Sequence, residues 1–244
     1  MKERSRWLIF GLMAVAQFMV VLDTVVANVA LPIIKEVLHF SDSSLQWVVT
    51  AYALAFGGFL LLGSRAADLF GRRLVLLIGI LGFTASSLLI GFAQTELQLI
   101  VFRVVQGLSA ALMSPAALSI VLTIFQEERE RTRALSLWTI VAAGGGAVGL
   151  LLGGILTQYL DWRWNFFINV PIGLAVAWGI YRLVPKHAGE ERSHKHLDLP
   201  GAALITGSLI GFVYAAELAI KDGWLNMGTL GLFALHTANR GIYS

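Results

Sequence analysis

Seven long apolar runs constrain the fold of this chain more than any other feature of its sequence. They lie at approximately residues 7–34, 46–64, 74–93, 97–124, 134–160, 165–184 and 200–220, and an eighth begins near Asn226. The hydrocarbon core of a bilayer is about 30 Å thick, so an α-helix needs about 20 apolar residues to cross it. The runs lack the period-2 alternation that barrel strands require. The sequence therefore predicts an all-α membrane protein.

The composition agrees with this class. Hydrophobic residues make up 57% of the chain and charged residues 14%, whereas an average soluble domain has about 45–50% apolar and about 25% charged residues. The chain has 0 cysteines, which excludes a disulfide framework and a thiolate metal site.

The basic residues predict which side of the membrane each loop faces. With a cytoplasmic N-terminus, thirteen Lys and Arg residues fall on the inner side and three on the outer side, as the positive-inside rule requires. The inner set comprises Lys2, Arg4, Arg6, Arg65, Arg72, Arg73, Arg129, Arg131, Arg133, Arg182, Lys186, Arg192 and Lys195. The outer set comprises Lys35, Arg163 and Lys221. The net charge of +3 therefore reflects topology, with no nucleic acid expected as a partner. We expect a multi-pass protein of the cell membrane, the bacterial inner or plasma membrane.

The apolar runs divide the chain into four predicted parts. Residues 1–185 are expected to form a six-helix transmembrane bundle, and residues 186–199 a cytoplasmic connector loop. Residues 200–236 would hold an additional transmembrane helix and the start of another. Residues 237–244 are polar and interrupt the eighth run, which favours a truncated chain.

Signatures of enzymes and cofactor sites are absent from the sequence. It contains neither the P-loop pattern G-x-x-x-x-G-K-[ST] nor the metalloprotease pattern H-E-x-x-H. Residues 144–149 satisfy G-x-G-x-x-G, but they follow no strand and lie inside an apolar run. His194 and His196 flank Lys195, and this adjacent cation favours a solvated loop over a metal site. We therefore predict a protein that is not an enzyme and has no catalytic residues, cofactor or metal.

One carboxylate stands among the apolar residues of the first run. Asp23 is followed by the apolar stretch 25–34, which only Asn28 interrupts. A charge at the bilayer centre costs at least about 2.5 kcal/mol on insertion scales, so it needs a reason to be there. Asp23 is either an ionisable group inside a helical bundle or the hydrated end of a helix near the interface.

The fourth run carries an arginine inside a membrane-spanning segment. Arg103, Gln106 and Gly107 are spaced i, i+3 and i+4, which places them on one face of a helix. An intramembrane arginine must face the bundle or a water-filled cavity. The alternative is an arginine that snorkels to the outer interface, because Glu96 lies only two turns away.

Two further segments are defined by their glycines. The loop predicted between the second and third runs contains Gly63, Asp68, Gly71, Arg72 and Arg73. Gly63 would let helices approach closely, and Gly71 suits a tight turn. In the fifth run, glycines recur every four residues and form a smooth stripe for helix packing. These are Gly145, Gly149 and Gly153.

Together these segments resemble the motifs of the major facilitator superfamily. Residues 63–73 are similar to its G-x-x-a-D-r-x-G-r-[KR] signature, and residues 103–107 to its R-x-x-q-G pattern. Residues 145–154 are similar to the antiporter motif that ends in two glycines, here Gly153 and Gly154, although Leu150 replaces its proline. Residues 22–32 and 161–173 resemble signatures of the drug:proton antiporter family with fourteen transmembrane helices.

The resemblance implies the N-terminal portion of a proton-coupled exporter of drugs or other small hydrophobic or cationic compounds. Asp23, Arg103 and Gln106 would serve proton coupling or substrate binding. The implied cytoplasmic gating residues are Gly63, Asp68, Gly71, Arg72 and Arg73. Gly145, Gly149, Gly153 and Gly154 would pack the fifth helix, the stripe allowing it to shear against a second half. Phe18, Met19, Trp47, Tyr52 and Phe56 are pocket candidates by position only.

Two alternatives stay open at this point. The Leu150 substitution favours an uptake or exchange transporter for a metabolite, with the same fold. The absence of a second six-helix half favours a truncated membrane fragment that moves nothing. In either case the expected partners are the bilayer, protons and a small-molecule substrate, and transport would need the missing C-terminal half or a dimer partner.

Overall fold

The structure, a computed structural model, describes residues 3–185, together with Gly207 and Gly211. The predicted connector 186–199 and the tail 237–244 lie outside the described residues. Residues 200–236 also lie outside the described residues, apart from those two glycines. His194 and His196 belong to the connector and are likewise not described.

Residues 3–185 form helices joined by short turns. The helices are α1 (Glu3–Leu38), α2 (Asp42–Leu45), α3 (Trp47–Phe70), α4 (Arg72–Gly91), α5 (Glu96–Ile124), α6 (Glu128–Tyr159), α7 (Trp164–Phe167) and α8 (Asn169–Leu183). Across these residues, six helical segments are long and apolar enough to cross a membrane, with α2 and α3 counted as one segment and α7 and α8 as another. The predicted all-α fold with a six-helix bundle is confirmed.

Several helices extend beyond the apolar runs that predicted them. Helix α3 continues to Phe70, past the expected end at residue 64, and α6 begins at Glu128, before the expected start at residue 134. The predicted loop 63–73 is therefore wrong as a loop: it is helical except for Gly71, which turns the chain with a φ of 91°. Hydrophobicity marks the hydrocarbon core, whereas backbone hydrogen bonding continues the helix into the headgroup region.

Helix α5 packs most extensively against α3 and α4 and also contacts α1. Helix α1 packs against α6 and also contacts α5 and α8. Two glycines allow the close approach of α3 and α5. A Cβ built on Gly63 would lie 2.1 Å from the backbone oxygen of Ala111, and one on Gly107 would lie 2.5 Å from that of Tyr52. Helices α1 and α5 also contact each other, and Asp23 and Arg103 meet there with both side chains buried.

The core consists of two apolar clusters with polar residues between them. The cluster toward the cytoplasmic side includes Met13, Phe83 and Phe125, which are all buried. The cluster toward the outer side includes Ile34 and Trp162. The fully buried polar side chains of the described residues include Asp23, Ser87, Arg103, Gln106 and Asn169, which lie together, and Asn165. This layer is the candidate site.

Candidate functional site

The carboxylate of Asp23 accepts hydrogen bonds from three side chains. Its Oδ2 accepts from Arg103 Nη1 at 2.6 Å, and its Oδ1 from Gln106 Nε2 at 2.8 Å and Asn169 Nδ2 at 3.2 Å. Asp23 and Arg103 are both 0% exposed. Asp23 lies within α1, well before its end at Leu38. It is therefore not the hydrated helix end that the sequence left open.

Arg103 is held by groups other than Asp23 as well. Its Nε donates to the backbone oxygen of Val48 at 2.9 Å, and its guanidinium carbon lies 4.2 Å from the centre of the Tyr52 ring. An aromatic face attracts a cation, most strongly where water is excluded. These contacts point the side chain into the bundle, so Arg103 does not snorkel to the outer interface.

Gln106 connects the ion pair to a third helix. Its Oε1 accepts from Arg103 Nη1 at 2.6 Å, and its Nε2 donates to Ser87 Oγ at 2.8 Å as well as to Asp23. Both ends of this amide are therefore occupied. The predicted residues Asp23, Arg103 and Gln106 lie together in one network, which we call the Asp23 network, with Ser87 and Asn169 as its other hydrogen-bonding side chains.

Sequence reasoning missed Ser87 and Asn169 as members of this network. Asn169 stands in the quoted segment 161–173, and an asparagine among apolar residues was the available signal. The sequence offered no such signal for Ser87, because serine is common in membrane helices. Both lie on helices other than α1 and α5, so only the packing of α4 and α8 brings them to Asp23.

Stability alone does not account for a buried pair of this kind. The desolvation of two charges is costly, and replacement of a buried ion pair by apolar residues is often neutral or stabilising. Ionisable groups inside membrane bundles are functional-site candidates for the same reason. The Asp23 network is therefore the strongest candidate site in residues 3–185.

The predicted gating residues lie at the cytoplasmic end and stabilise helix contacts inside the bundle. Asp68 and Arg72 approach to 3.9 Å, and the Asp68 side chain is 50% exposed. Arg72 donates to the hydroxyl of Thr123 on α5, and Arg73 donates to the backbone oxygen of Tyr181 on α8 at 2.6 Å. The two arginines thus connect α4 to α5 and to α8.

The glycine stripe of α6 faces α1. A Cβ on Gly145 would lie 3.2 Å from Val21, one on Gly149 would lie 2.9 Å from Val25, and one on Gly153 would lie 3.2 Å from Val26. The expected shear surface toward a second half is therefore a packing surface within this bundle.

Gly154 does not share that packing. Among the described residues, no atom lies within 4 Å of a Cβ built on Gly154, which points away from α1. Leu150, at the position of the expected proline, is 61% exposed, and α6 continues through it without a break. A leucine keeps the backbone N–H that a proline lacks, so the helix has no cause to kink there.

The pocket candidates divide into two groups. Met19 and Tyr52 are buried in the bundle core, with exposures of 0% and 3%. They pack the interior of the bundle and do not line an open cavity. Phe18, Trp47 and Phe56 are half-buried.

The fold and the Asp23 network define a multi-pass membrane bundle with a buried ion pair, and comparison with known proteins identifies its family. Residues 13–241 match the family model of the Major Facilitator Superfamily. The chain belongs to this superfamily.

Several relatives share extensive sequence identity with the chain. It is 45% identical over 248 residues to the puromycin resistance protein of Streptomyces alboniger, with 98% of this chain and 49% of the relative covered. It is 44% identical to the cephamycin export protein of Amycolatopsis lactamdurans, with 86% and 43% covered. The tetracenomycin C resistance and export protein of Streptomyces glaucescens is 36% identical, with 91% and 41% covered. The chain thus spans less than half the length of these relatives.

Solved structures support the same fold. A peptide transporter aligns with a TM-score of 0.66 at 15% identity, covering 92% of this chain and 48% of that one. A proton:xylose symporter aligns with a TM-score of 0.64 at 15% identity, covering 91% and 57%. At these identities the likeness concerns the fold alone.

Proposed function

We propose that this chain forms the first half of a proton-coupled exporter of drug-like compounds, meaning small hydrophobic or cationic molecules. The observation that carries the proposal is the fully buried Asp23–Arg103 pair. The relatives support the direction of transport, since they are named for resistance to puromycin and for export of cephamycin and tetracenomycin C. The protein would thus confer antibiotic resistance from the cell membrane by using the proton motive force.

The coupling step is a change in the protonation of Asp23. While Asp23 is ionised, its carboxylate and the guanidinium of Arg103 neutralise each other. Protonation removes the negative charge and leaves Arg103 with one uncompensated positive charge in the bundle. Such a charge is unfavourable in a dry interior, so it favours a conformation in which water or another polar group reaches the arginine. Proton binding thereby shifts the conformational equilibrium.

Arg103 can act in this way because it does not depend on Asp23 for its position. The backbone oxygen of Val48, the ring of Tyr52 and the amide oxygen of Gln106 hold it from other sides. It is thus a fixed cation beside a carboxylate that gains and loses a proton. The guanidinium itself stays protonated in proteins.

Transport by this mechanism needs a second wall for the substrate cavity. Transporters of this kind place the substrate between two halves, which rock against each other. The relatives are about twice as long as this chain, which covers 41–49% of each of those described above. We therefore include a C-terminal half, or a dimer partner, in the proposal.

A transporter that takes up or exchanges a metabolite is the second candidate. The observation that favours it is Leu150, which leaves α6 unbroken where the antiporter motif has its proline. Accumulation of a fluorescent cationic drug, with and without a protonophore, separates the two. Export predicts that the protonophore raises accumulation, whereas accumulation that rises on energisation supports uptake.

The role of Asp23 is tested by Asp23→Asn in the full-length transporter that carries this sequence as its first half. The amide keeps the size of the side chain and cannot exchange a proton, so proton-driven drug export should be lost. Asp161→Asn is the matched control, because Asp161 is a partly exposed carboxylate in an outer turn. Export by Asp23→Asn at the unaltered rate and pH dependence would refute the role of Asp23.

A second experiment tests whether the 244-residue chain transports alone. The chain is reconstituted into liposomes with an imposed pH gradient, and drug flux is measured with and without that gradient. We expect no coupled flux, because one half supplies one wall of a cavity. Measurable proton-coupled flux would show that the chain, alone or as a dimer, is sufficient.

A further inference from the structure

Two side-chain amides donate to Asp23, and they differ in how completely they are bonded. Gln106 uses both ends, since its oxygen accepts from Arg103 and its nitrogen donates to Asp23 and Ser87. Asn169 uses one end: its Nδ2 donates to Asp23, and its Oδ1 has no hydrogen-bond partner in residues 3–185. Asn169 is 0% exposed. A buried amide oxygen without a donor is uncommon and calls for an explanation.

Protonation of Asp23 changes the hydrogen bonds that its neighbours must make, because the acid hydroxyl is a donor and the carboxylate is not. The Oδ2 atom faces Arg103, whose guanidinium has donors and no acceptor. A proton on Oδ2 would therefore point at another N–H group. The Oδ1 atom faces two amides, each of which has an oxygen as well as a nitrogen. Oδ1 is thus the oxygen that can carry the proton, and the resulting hydroxyl needs an acceptor.

We propose that Asn169 supplies this acceptor by rotating its amide group. The last side-chain torsion of asparagine has broad, nearly two-fold preferences, so a half-turn exchanges Oδ1 for Nδ2 at little cost. Asn169 then donates to the carboxylate form of Asp23 and accepts from the acid form. Gln106 cannot do the same, because rotation would break its bonds to Arg103 and Ser87.

The other groups around Asp23 do not replace Asn169. The titratable side chains beside Asp23 are Arg103, which has no acceptor, and Tyr52, whose ring packs against Arg103 and whose hydroxyl makes no hydrogen bond within residues 3–185. Asn169 is therefore a positioning residue for proton exchange at Asp23. This inference rests on the proposed function, because it requires Asp23 to change its protonation state.

The test is infrared difference spectroscopy on the whole 244-residue chain in lipid vesicles, between low and high pH. The spectrum of Asp23→Asn identifies the acid C=O band and the carboxylate band of Asp23 by their loss. In Asn169→Leu, we expect the acid band to move to higher frequency, because the acid hydroxyl loses its acceptor. Asn169→Ser should keep the band in place, since a hydroxyl can both donate and accept.

Asn165→Leu is the matched control. Asn165 is also fully buried, and its Oδ1, like that of Asn169, has no hydrogen-bond partner in residues 3–185. Its Nδ2 donates to Thr157 Oγ1 at 2.6 Å and not to Asp23. Its loss removes a buried amide near the site without touching the carboxylate, so the acid band should not move. An equal shift in Asn165→Leu and Asn169→Leu would overturn the proposal, because the shift would then report general repacking.

Other outcomes separate the proposal from the function on which it rests. If Asn169→Leu moves only the carboxylate band, Asn169 is a donor alone and the amide rotation is refuted. If the unaltered chain shows no acid band for Asp23 at any pH, proton exchange at Asp23 fails, and the role of Asn169 fails with it. If Asn169→Leu does not fold, isotope-labelled asparagine in the unaltered chain gives the answer. The labelled amide C=O band that is lost in Asn169→Ser belongs to Asn169. It should shift when Asp23 is protonated, and a band that does not shift overturns the proposal.

Discussion

The bundle contains two aspartate–arginine pairs with the same chemistry in opposite surroundings. Asp23 and Arg103 are 2.6 Å apart and 0% exposed, and each makes further hydrogen bonds. Asp68 and Arg72 are 3.9 Å apart on either side of the turn at Gly71, with the aspartate half exposed. Water stabilises either charge of the second pair by itself, whereas each charge of the first pair depends on its partner. The comparison shows that burial decides whether an aspartate and an arginine depend on each other to neutralise their charges.

The largest effect is expected for Arg103→Leu. The substitution leaves the Asp23 carboxylate buried without its cation, and breaking a buried pair in this way costs about 3–5 kcal/mol. The double variant Asp23→Leu with Arg103→Leu should recover most of the loss, because neither charge remains. The free energy of unfolding in lipid–detergent mixtures, followed by circular dichroism, measures both. If Arg103→Leu lowers the free energy of unfolding no more than the loss of an exposed ion pair does, the buried pair and the Asp68–Arg72 pair are not distinct in this respect.

A smaller effect is expected for Gly107→Ala, which tests the helix contact beside the buried pair. A Cβ at this position would lie 2.5 Å from the backbone oxygen of Tyr52, so α3 must move away from α5. Overpacking of this kind costs about 1–3 kcal/mol. Gly57→Ala is the control, because no atom lies within 4 Å of a Cβ there among the described residues.

Alanine is about 0.8–1.0 kcal/mol more favourable than glycine in a helix interior, so Gly57→Ala should be neutral or stabilising. The same unfolding measurement compares the two variants. Equal effects at positions 107 and 57 would show that the close contact of α3 with α5 at Gly107 does not contribute to the stability of the bundle.

The smallest effect is expected for Asp68→Asn. Exposed ion pairs contribute about 0–1 kcal/mol, and salt screens them. The loss in unfolding free energy should therefore lie in this range and shrink as ionic strength rises. A loss comparable with that of Arg103→Leu, and independent of salt, would mean that Asp68 and Arg72 depend on each other as strongly as Asp23 and Arg103 do.

Much of the fold follows from sequence pattern, because each membrane span must satisfy its own backbone hydrogen bonds. Run length and the distribution of basic residues predicted the helices of residues 3–185 and their orientation. The helix ends were predicted less well, as the extension of α3 to Phe70 shows. The apolar residues end where the hydrocarbon core ends, whereas the helix continues beyond it.

The candidate site was predictable in part. The i, i+3 spacing placed Arg103 and Gln106 on one helix face, and the cost of an intramembrane charge singled out Asp23. Asn169 could not be assigned to the same site, because it is 146 residues from Asp23 along the chain. The glycine stripe predicted a packing face of α6 without identifying α1 as its partner, since any helix with suitable side chains could fill that groove.

The sequence by itself determined that this chain crosses a membrane, predicted which side its loops face, and identified the charged residues that need an explanation. These properties depend on local composition and on the length of single segments. The tertiary structure decided that Asp23 faces Arg103, that Gln106 and Asn169 donate to the same carboxylate oxygen, and that Asp68 stays at the surface. Those outcomes depend on how α1, α3, α4, α5 and α8 pack against one another. The pairing of helices is a property of the whole bundle, which no single segment encodes.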